Sequence, residues 1–390
     1  MSAADRGDEF SGWLRDEHSW MAAQRREALI LGPRLLSLPA DQWRAAITED
    51  ASYHHVGLLE WILEKVAEAF ERLPLRAHEL ASIATYLADY VPAVPPKTIE
   101  LRGLAWLRLA SALEKLARYA EAIAALDVAV AQYDGLPNGD WHIAKTDYVR
   151  AEILRKIQKY DDALAAIDRA IMAFGRYGDR KWFINSQHIR TAILYKQGHC
   201  AEPIAILESL VPEVTESGSQ AGIGRIYVNL ANAYFSAAKY DEARSRYIVA
   251  RQAFRKAGLI TEELKVAWRL SSITARRGDH DSAVAELRAI RREFAALSLA
   301  NESILVGLEI VESLLALELH DEIVSLAREL ANDAVDHDLP QQAAHALAYL
   351  REAAGRTSLT RGLTRYVRQY IEDLSEYQHL PFMPPETNFG

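Results

Sequence analysis

The sequence predicts an all-α protein built from stacked pairs of antiparallel helices, an α-solenoid. Three observations predict this fold. A phrase of similar residues returns about every 40 positions, apolar residues follow each return at helical spacing, and turn-forming residues recur with the same period. No convincing run of alternating strand residues is present. The chain has 390 residues, more than the roughly 250–300 at which one compact core stops growing. Two domains or an elongated repeat structure are therefore expected.

The repeated phrase consists of a tyrosine, one or two acidic residues and an alanine, as in KYDEA at 239–243 and KYDDA at 159–163. Its first position recurs as Tyr119, Tyr160, Cys200, Tyr240, His280, His320 and Thr360. Three residues later lie Ala122, Ala163, Pro203, Ala243, Ala283, Ile323 and Leu363. Seven residues later lie Leu126, Ile167, Leu207, Tyr247, Leu287, Ala327 and Val367. Ten residues later lie Ala129, Ala170, Leu210, Ala250, Ile290, Leu330 and Tyr370. This spacing places one apolar stripe along a helix.

Turn residues recur at the place where one helix pair should end and the next begin. They are Gly178, Gly218, Gly258, Ser298 and Asp338. Glycine suits a helix C-terminus because it accepts the left-handed conformation. The predicted N-caps of the helices that follow are Asp140, Asp179, Ser219 and Thr261.

The repeated unit resembles the tetratricopeptide repeat family. The resemblance rests on Leu-Ala-x-x-Tyr at 230–234, on the Tyr-x-Glu/Asp-Ala turn and on the later apolar positions. It covers roughly residues 100–375, with the best match at 228–254. The family's usual period is about 34 residues, so the longer unit looks like those of kinesin light chains and bacterial peptide-responsive regulators. The resemblance implies a right-handed superhelix. HEAT-like repeats share the longer period and remain the alternative, although the Tyr-Asp-Glu-Ala turn favours the tetratricopeptide reading.

Three regions are predicted along the chain. Residues 1–97 form an N-terminal helical region, which includes a degenerate first repeat at about 56–91 that is broken near Leu73-Pro74. Residues 98–375 form the repeat domain. Residues 376–390 form a proline-rich tail, since their composition does not suit a continued helix. The basic last repeat is expected to act as a polar cap of the repeat stack.

Composition and motifs exclude several function classes. A net charge of −9 argues against a general nucleic-acid or membrane-surface binder. The single cysteine, Cys200, is expected to be a packing residue, and no signal peptide or membrane span is apparent. We therefore expect a cytoplasmic protein. No phosphate-binding loop, nucleophile elbow or metal-ligand spacing occurs. We expect no enzyme activity, no cofactor and no metal.

The resemblance implies that the first helix of each pair lines a concave groove that binds a partner. The positions carried over to this groove, with Arg108 in the first clear repeat, are Lys145, Tyr148, Arg155, Asn185, His188, Arg225, Asn229, Asn232, Lys265, Trp268 and Arg269. Asparagine can hold a peptide backbone through paired donor and acceptor groups. Arginine and lysine favour an acidic segment or a terminal carboxylate. Glu309 and Glu312 predict that the basic surface ends near residue 300.

Two functions fit these features. The first is a non-catalytic scaffold that binds a peptide or protein segment in the groove. The alternative is a ligand- or peptide-responsive regulator, in signalling or transcriptional control, whose output passes through the N-terminal helices. The sequence shows no helix-turn-helix module that would serve as such an output.

Overall fold

A computed structural model describes residues 3–70, 73–92, 96–199, 201–337, 339–374 and 382–385. For residues 3–19 and for Pro96 it describes the backbone alone. Within these ranges every regular element is helical, which confirms the all-α prediction. Cys200 and Asp338 lie outside the described residues, as does most of the predicted tail. Among the helices of the described part, none is both long and apolar enough to cross a lipid bilayer.

Four α-helices lie before residue 96 in the described part of the chain. They are α1 (Ala3–Leu36), α2 (Trp43–Glu49), α3 (Val56–Ala69) and α4 (Pro74–Ala88), with short 3-10 turns at Ala40–Gln42 and Ala51–Tyr53. The break between α3 and α4 falls where the sequence places it. Proline at the first position of α4 is tolerated because the amide it lacks would have no helical partner there.

The remaining helices form consecutive antiparallel pairs. The first three pairs are α5 (Pro96–Lys115) with α6 (Tyr119–Tyr133), α7 (Gly139–Lys156) with α8 (Tyr160–Arg176), and α9 (Arg180–Lys196) with α10 (Ala201–Glu216). Next come α11 (Gln220–Ser236) with α12 (Tyr240–Lys256), and α13 (Ile260–Arg276) with α14 (His280–Ala296). The last two pairs are α15 (Ala300–Ala316) with α16 (His320–Asp336), and α17 (Gln341–Gly355) with α18 (Arg361–Leu374). We refer to the first helix of a pair as its A-helix and to the second as its B-helix.

The predicted apolar stripe is the buried face of the B-helices. The residues three, seven and ten positions after the start of each phrase are all buried, and most of them are fully so. Four residues after its last position, the B-helix buries one more side chain. These are Tyr133, Phe174, Val214, Phe254, Phe294, Ala334 and Leu374. The largest of them cover small residues of the A-helix: a Cβ added to Gly224 would lie 2.4 Å from the Phe254 ring.

The turns have the backbone conformation that the glycines predict. Gly178, Gly218, Gly258 and Ser298 all adopt positive φ. A second series lies inside the pairs, between the A-helix and the B-helix. It comprises Ala117, Gln158, Gly198, Ala238, Gly278, Glu318 and Thr357, again with positive φ. Its sequence signal is weak because most of its members are not glycine.

Two of the four predicted N-caps are confirmed. The Ser219 hydroxyl accepts the Gly222 amide at 3.2 Å, and the Asp179 carboxylate accepts the Trp182 amide at 3.2 Å. The predictions for Asp140 and Thr261 are wrong, because α7 begins at Gly139 and α13 at Ile260. Both residues lie inside the first turn of their helices.

The chain divides into two compact units, residues 1–193 and 194–390. In the first unit, one core joins residues of α2, α3 and α4 to Leu101 and Ala105 of α5. The same core therefore packs on both sides of residue 97, and the domain boundary predicted there stays a prediction. In the second unit, one core runs from Leu264 of α13 to Leu374 of α18.

A short part of the C-terminal tail packs on the last helix pair. The ring of Phe382 lies 5.0 Å from that of Tyr370 and 5.8 Å from that of Tyr349. The Tyr366 hydroxyl donates to the Met383 carbonyl at 2.7 Å. Phe382 is thus held by ring contacts and Met383 by a hydrogen bond.

Candidate functional site

The predicted binding residues all lie on A-helices, namely α7, α9, α11 and α13. Consecutive A-helices contact each other through side chains of this face. In the first unit the Tyr148 and Trp182 rings meet edge to face at 5.2 Å, and in the second Trp268 donates to Glu309. The predicted residues belong to both compact units.

An aromatic cluster surrounds Lys145 in the first unit. Its ammonium lies 3.6 Å from the centre of the Trp141 ring and 5.3 Å from that of Trp182. Asp179 contacts both tryptophans: its carboxylate accepts the Trp141 indole N–H at 3.0 Å and the Trp182 backbone amide. Phe174 of α8 stacks beneath Trp182 at 5.6 Å. The cluster places a cation between two aromatic faces, which the ring quadrupoles stabilise.

Burial sets the protonation of this lysine. Removal from water lowers the pKa of Lys145 to about 8, and the Asp179 carboxylate raises that pKa less than burial lowers it. Arg108 and Lys97 lower it further through charge repulsion. No carboxylate forms an ion pair with Lys145 among the residues that the structure describes. The site therefore holds a half-buried cation that an incoming anion would stabilise.

Arg108 of α5 adds a second cation to this surface. It is half-buried, and burial lowers the pKa of its guanidinium. Its Nε is buried and makes no hydrogen bond within the described part of the chain. A buried donor without a partner costs about 1–3 kcal/mol. An acceptor on a bound ligand would remove that cost.

The other predicted residues of the first unit are close to this cluster in sequence but differ in their surroundings. Burial raises the pKa of Tyr148 to about 12, which keeps its hydroxyl protonated. Arg155 donates to Glu152 at 3.0 Å. Asn185 and His188 are half-buried on α9.

In the second unit, α11 presents three predicted residues with different roles. Arg225 is exposed, and Asn229 is half-buried. Asn232 accepts a hydrogen bond from the Tyr247 hydroxyl on the paired helix α12. Burial strongly raises the pKa of Tyr247. Because Tyr247 is buried, Asn232 serves the packing of the helix pair, and its side-chain oxygen is already engaged.

The predicted residues of α13 are also engaged with neighbouring groups. Lys265 pairs with Glu302 of α15 at 3.2 Å. Trp268 is buried, and its indole N–H donates to Glu309 at 2.6 Å. Arg269 is exposed, with its guanidinium 5.4 Å from the Trp268 ring.

The acidic residues of α15 meet the last helix of the chain. Arg368 of α18 lies 2.7 Å from Glu312, and Arg365 lies 3.0 Å from the same carboxylate. Glu309 is 3.7 Å from Arg368. Two arginines of the last repeat therefore form ion pairs with these carboxylates, in addition to any role of the repeat as a polar cap.

Sequence reasoning missed Trp141 and Trp182 as parts of the site. Their spacing contains a signal, since they lie 41 residues apart, as do Tyr119 and Tyr160. Each tryptophan therefore occupies the same position of its repeat, on the first turn of an A-helix. Among the described residues, no three His, Cys, Asp or Glu side chains come together as a metal site would require.

Comparisons with known proteins place this architecture among helical repeat proteins. No protein-family model and no curated protein sequence matches the chain. Among solved structures, it is similar to a signal-transduction ATPase from Pyrococcus horikoshii with a tetratricopeptide repeat sensor. That match has a TM-score of 0.58 and 14% identity, over 91% of this chain and 53% of that one.

Two further structures match over nearly their whole length. A Rap protein complexed with competence and sporulation factor gives a TM-score of 0.53 at 13% identity, over 90% of this chain and 99% of that one. NprR in complex with its cognate peptide NprX gives 0.50 at 14% identity, over 94% and 98%. The consecutive helix pairs, the buried stripe and these likenesses together show that the chain has the tetratricopeptide-like helical repeat fold.

Proposed function

We propose that this protein is a non-catalytic, cytoplasmic binding protein that captures an acidic peptide or protein segment on its A-helices. The observation that carries the proposal is the half-buried pair of Lys145 and Arg108. Neither forms an ion pair within the described residues, and the rings of Trp141 and Trp182 flank the lysine. A carboxylate would pair with these cations, and the indoles would cover the apolar part of the ligand.

The similar structures support a peptide as the ligand class. NprR binds its cognate peptide, and the Rap protein was solved with competence and sporulation factor. Neither likeness names the partner of this chain. The positive charge of the site indicates which ligand groups it would bind: the carboxylates of glutamate or aspartate, or a terminal carboxylate.

The test uses an array of short peptides, each made once with Asp and Glu and once with Asn and Gln at the same positions. Purified protein should retain a subset of the acidic peptides and lose their neutral counterparts. The double variant Arg108→Gln/Lys145→Gln should lose the acidic subset, because both cations are removed while side-chain size is nearly kept.

A charge-matched control separates the site from net charge. Arg244 and Lys256 are exposed on α12, so Arg244→Gln/Lys256→Gln removes the same charge elsewhere. Circular dichroism should show equal helicity in all three proteins. Retention of the acidic peptides by the Arg108/Lys145 variant would contradict the proposed site. Equal binding of acidic and neutral peptides would contradict the proposed chemistry.

A ligand-responsive regulator is the second candidate, and the first-unit core favours it. Helices α3 and α4 share that core with α5, which carries Arg108. A shift of α5 on binding would therefore reach the N-terminal helices.

Hydrogen exchange with and without a retained peptide distinguishes the two functions. A regulator predicts altered exchange in residues 56–88, whereas a scaffold predicts change at the A-helix face alone. Deleting residues 1–97 is a poorer test, because it would expose Leu101 and Ala105.

A further inference from the structure

The second unit contains a cavity of about 660 Å³ between α14 and α16. Three arginines of α14 line one wall, and three carboxylates of α16 line the other. The floor is apolar, formed in part by Ile310 and Leu326. Close-packed proteins leave few voids of more than a water molecule, whereas small-molecule sites measure about 300–1,000 Å³. The cavity has the volume of a ligand site.

The cavity at the same position one repeat earlier is much smaller. There a cavity of about 180 Å³ is lined by Ile248, Arg251, Gln252, Arg255 and Leu270. Adding 40 to these numbers gives Arg288, Arg291, Arg292, Ala295 and Ile310, all of which line the larger cavity. The two cavities therefore occupy equivalent places in successive repeats, and their lining residues can be compared position by position.

A carboxylate contacts two arginines of the smaller cavity and has no counterpart at the same repeat position in the larger one. Glu263 lies 3.4 Å from Arg251, and it accepts a hydrogen bond from Arg255 at 2.9 Å. Its equivalent one repeat later is Ser303, a buried residue that lines the larger cavity. Arg291, the equivalent of Arg251, thus lacks this acidic neighbour and contacts carboxylates of α16 instead.

The charges around the larger cavity are incompletely paired. Arg291 is 13% exposed and is shared by two carboxylates, Glu329 at 3.2 Å and Asp333 at 2.7 Å. Its Nε is buried without a hydrogen-bond partner in the described residues. Arg288 pairs with Glu322. Arg292 pairs with no carboxylate in that part of the chain, and its Nε lies 3.4 Å from the Arg288 carbonyl. Arg292 therefore remains available to a ligand, and Glu329 and Asp333 share the single charge of Arg291.

We propose that this cavity binds a small zwitterion that carries a carboxylate and an amine, of the class of free amino acids and dipeptides. The ligand carboxylate takes the place that Glu263 holds one repeat earlier, beside Arg291 and Arg292. The ammonium faces Glu329 and Asp333, and an aliphatic side chain covers the apolar floor. The charged walls of this site lie on the B-helices α14 and α16, so it does not depend on the peptide-binding function proposed for the A-helices.

The dipeptide alanyl-leucine is a suitable probe, with its N-acetylated and C-amidated forms as matched controls. Isothermal titration of the full-length protein should show saturable binding of the free dipeptide. Blocking either end should weaken binding about tenfold or more, since each blocked end loses a charge-assisted contact. Saturation by neither the free nor the blocked dipeptides would overturn the proposal, and so would equal binding of all three.

Three variants locate the site. Ser303→Glu installs the carboxylate of the preceding repeat and should abolish binding by occupying the place of the ligand carboxylate. Arg292→Gln, at an exposed position, should weaken binding about tenfold without affecting the fold. Arg244→Gln on α12 should leave binding unchanged. Undiminished binding by Arg292→Gln, or by a Ser303→Glu protein of normal helicity, would place the dipeptide elsewhere and overturn the proposal.

Discussion

Lys145 shows how a single side chain depends on neighbours from other helices. Its spacing on α7 identifies it as an A-helix residue. The lowered pKa, however, comes from burial between Trp141 and Trp182 and from the nearby Arg108. An amine with a pKa of about 8 is partly neutral at mildly alkaline pH.

This pKa predicts a specific pH dependence of binding. A ligand carboxylate raises the pKa of Lys145, so the complex keeps a proton that the free protein loses above pH 8. Affinity for an acidic peptide should be constant below about pH 8 and should fall by up to about tenfold per unit above it. Fluorescence anisotropy of a labelled acidic peptide measures this. In Lys145→Arg the dependence should disappear, because a guanidinium stays charged. A variant with the wild-type profile would contradict the assignment to Lys145.

Asn232 shows the opposite case, in which a predicted binding residue has a structural partner. Its side-chain oxygen accepts the hydroxyl of the buried Tyr247. Both residues fit their repeat positions, and the sequence does not reveal that they meet. Loss of ligand after substituting Asn232 would therefore be ambiguous, since it would leave a buried hydroxyl without an acceptor. Arg225 and Arg269, which are exposed, are cleaner probes.

At the scale of elements, the turns inside the helix pairs impose a common backbone conformation on different residues. Ala238 and Gly278 occupy equivalent positions 40 residues apart, with φ of 56° and 90°. A left-handed conformation costs an L-residue about 1–2 kcal/mol, and glycine avoids that cost. Glycine loses about 0.5–1 kcal/mol through the greater freedom of the unfolded chain.

Replacing glycine by alanine and alanine by glycine at these turn positions should therefore change the stability of the protein in opposite directions. Gly278→Ala should lower the free energy of unfolding by about 1 kcal/mol, since the added Cβ meets nothing within 4 Å and the cost is purely conformational. Ala238→Gly should raise it by up to about 1 kcal/mol. Gly355→Ala is the matched control, because Gly355 lies in α17 and its Cβ also meets nothing. Because Gly355 is the last residue of its helix, the same exchange there should stabilise the protein by up to about 1 kcal/mol. Urea unfolding measures all three, and a stabilising Gly278→Ala would refute the turn assignment.

At the scale of the whole molecule, net charge and local charge have opposite signs. The chain carries −9, whereas the surface near Lys145 and Arg108 is basic. Long-range repulsion of an acidic peptide is screened beyond about 8 Å at physiological salt. Contacts within the half-buried site are screened much less.

This contrast predicts how salt changes the association and the dissociation rate constants of binding. Raising sodium chloride should leave the association rate constant unchanged or increase it, because screening removes the repulsion by the net charge. The dissociation rate constant should rise, because the ion pairs formed in the complex weaken. Stopped-flow measurements with an acidic peptide separate the two. A steep fall of the association rate constant with salt would show that attraction, and not repulsion, governs the approach.

Much of the architecture is determined by the sequence, because it is local and periodic. A 40-residue period, a helical apolar stripe and the turn residues specify the helices, their pairing and their buried face. Each repeat contacts mainly its neighbours, so one well-marked unit predicts the others. The basic residues of the A-helices follow from the same register, and their positions on α7, α9, α11 and α13 are as predicted.

The tertiary structure alone decided which of these residues have partners. Trp268 donates to Glu309 across 41 residues, and Arg365 reaches Glu312 across 53. Such pairs depend on side-chain reach between helices, which repeat spacing does not encode. The larger cavity between α14 and α16 is also a tertiary feature, since Ser303 stands where the preceding repeat has Glu263 and the carboxylates of one wall come from α16. Periodicity determines where a side chain lies, and the packing of neighbouring helices determines whether it remains available to a ligand.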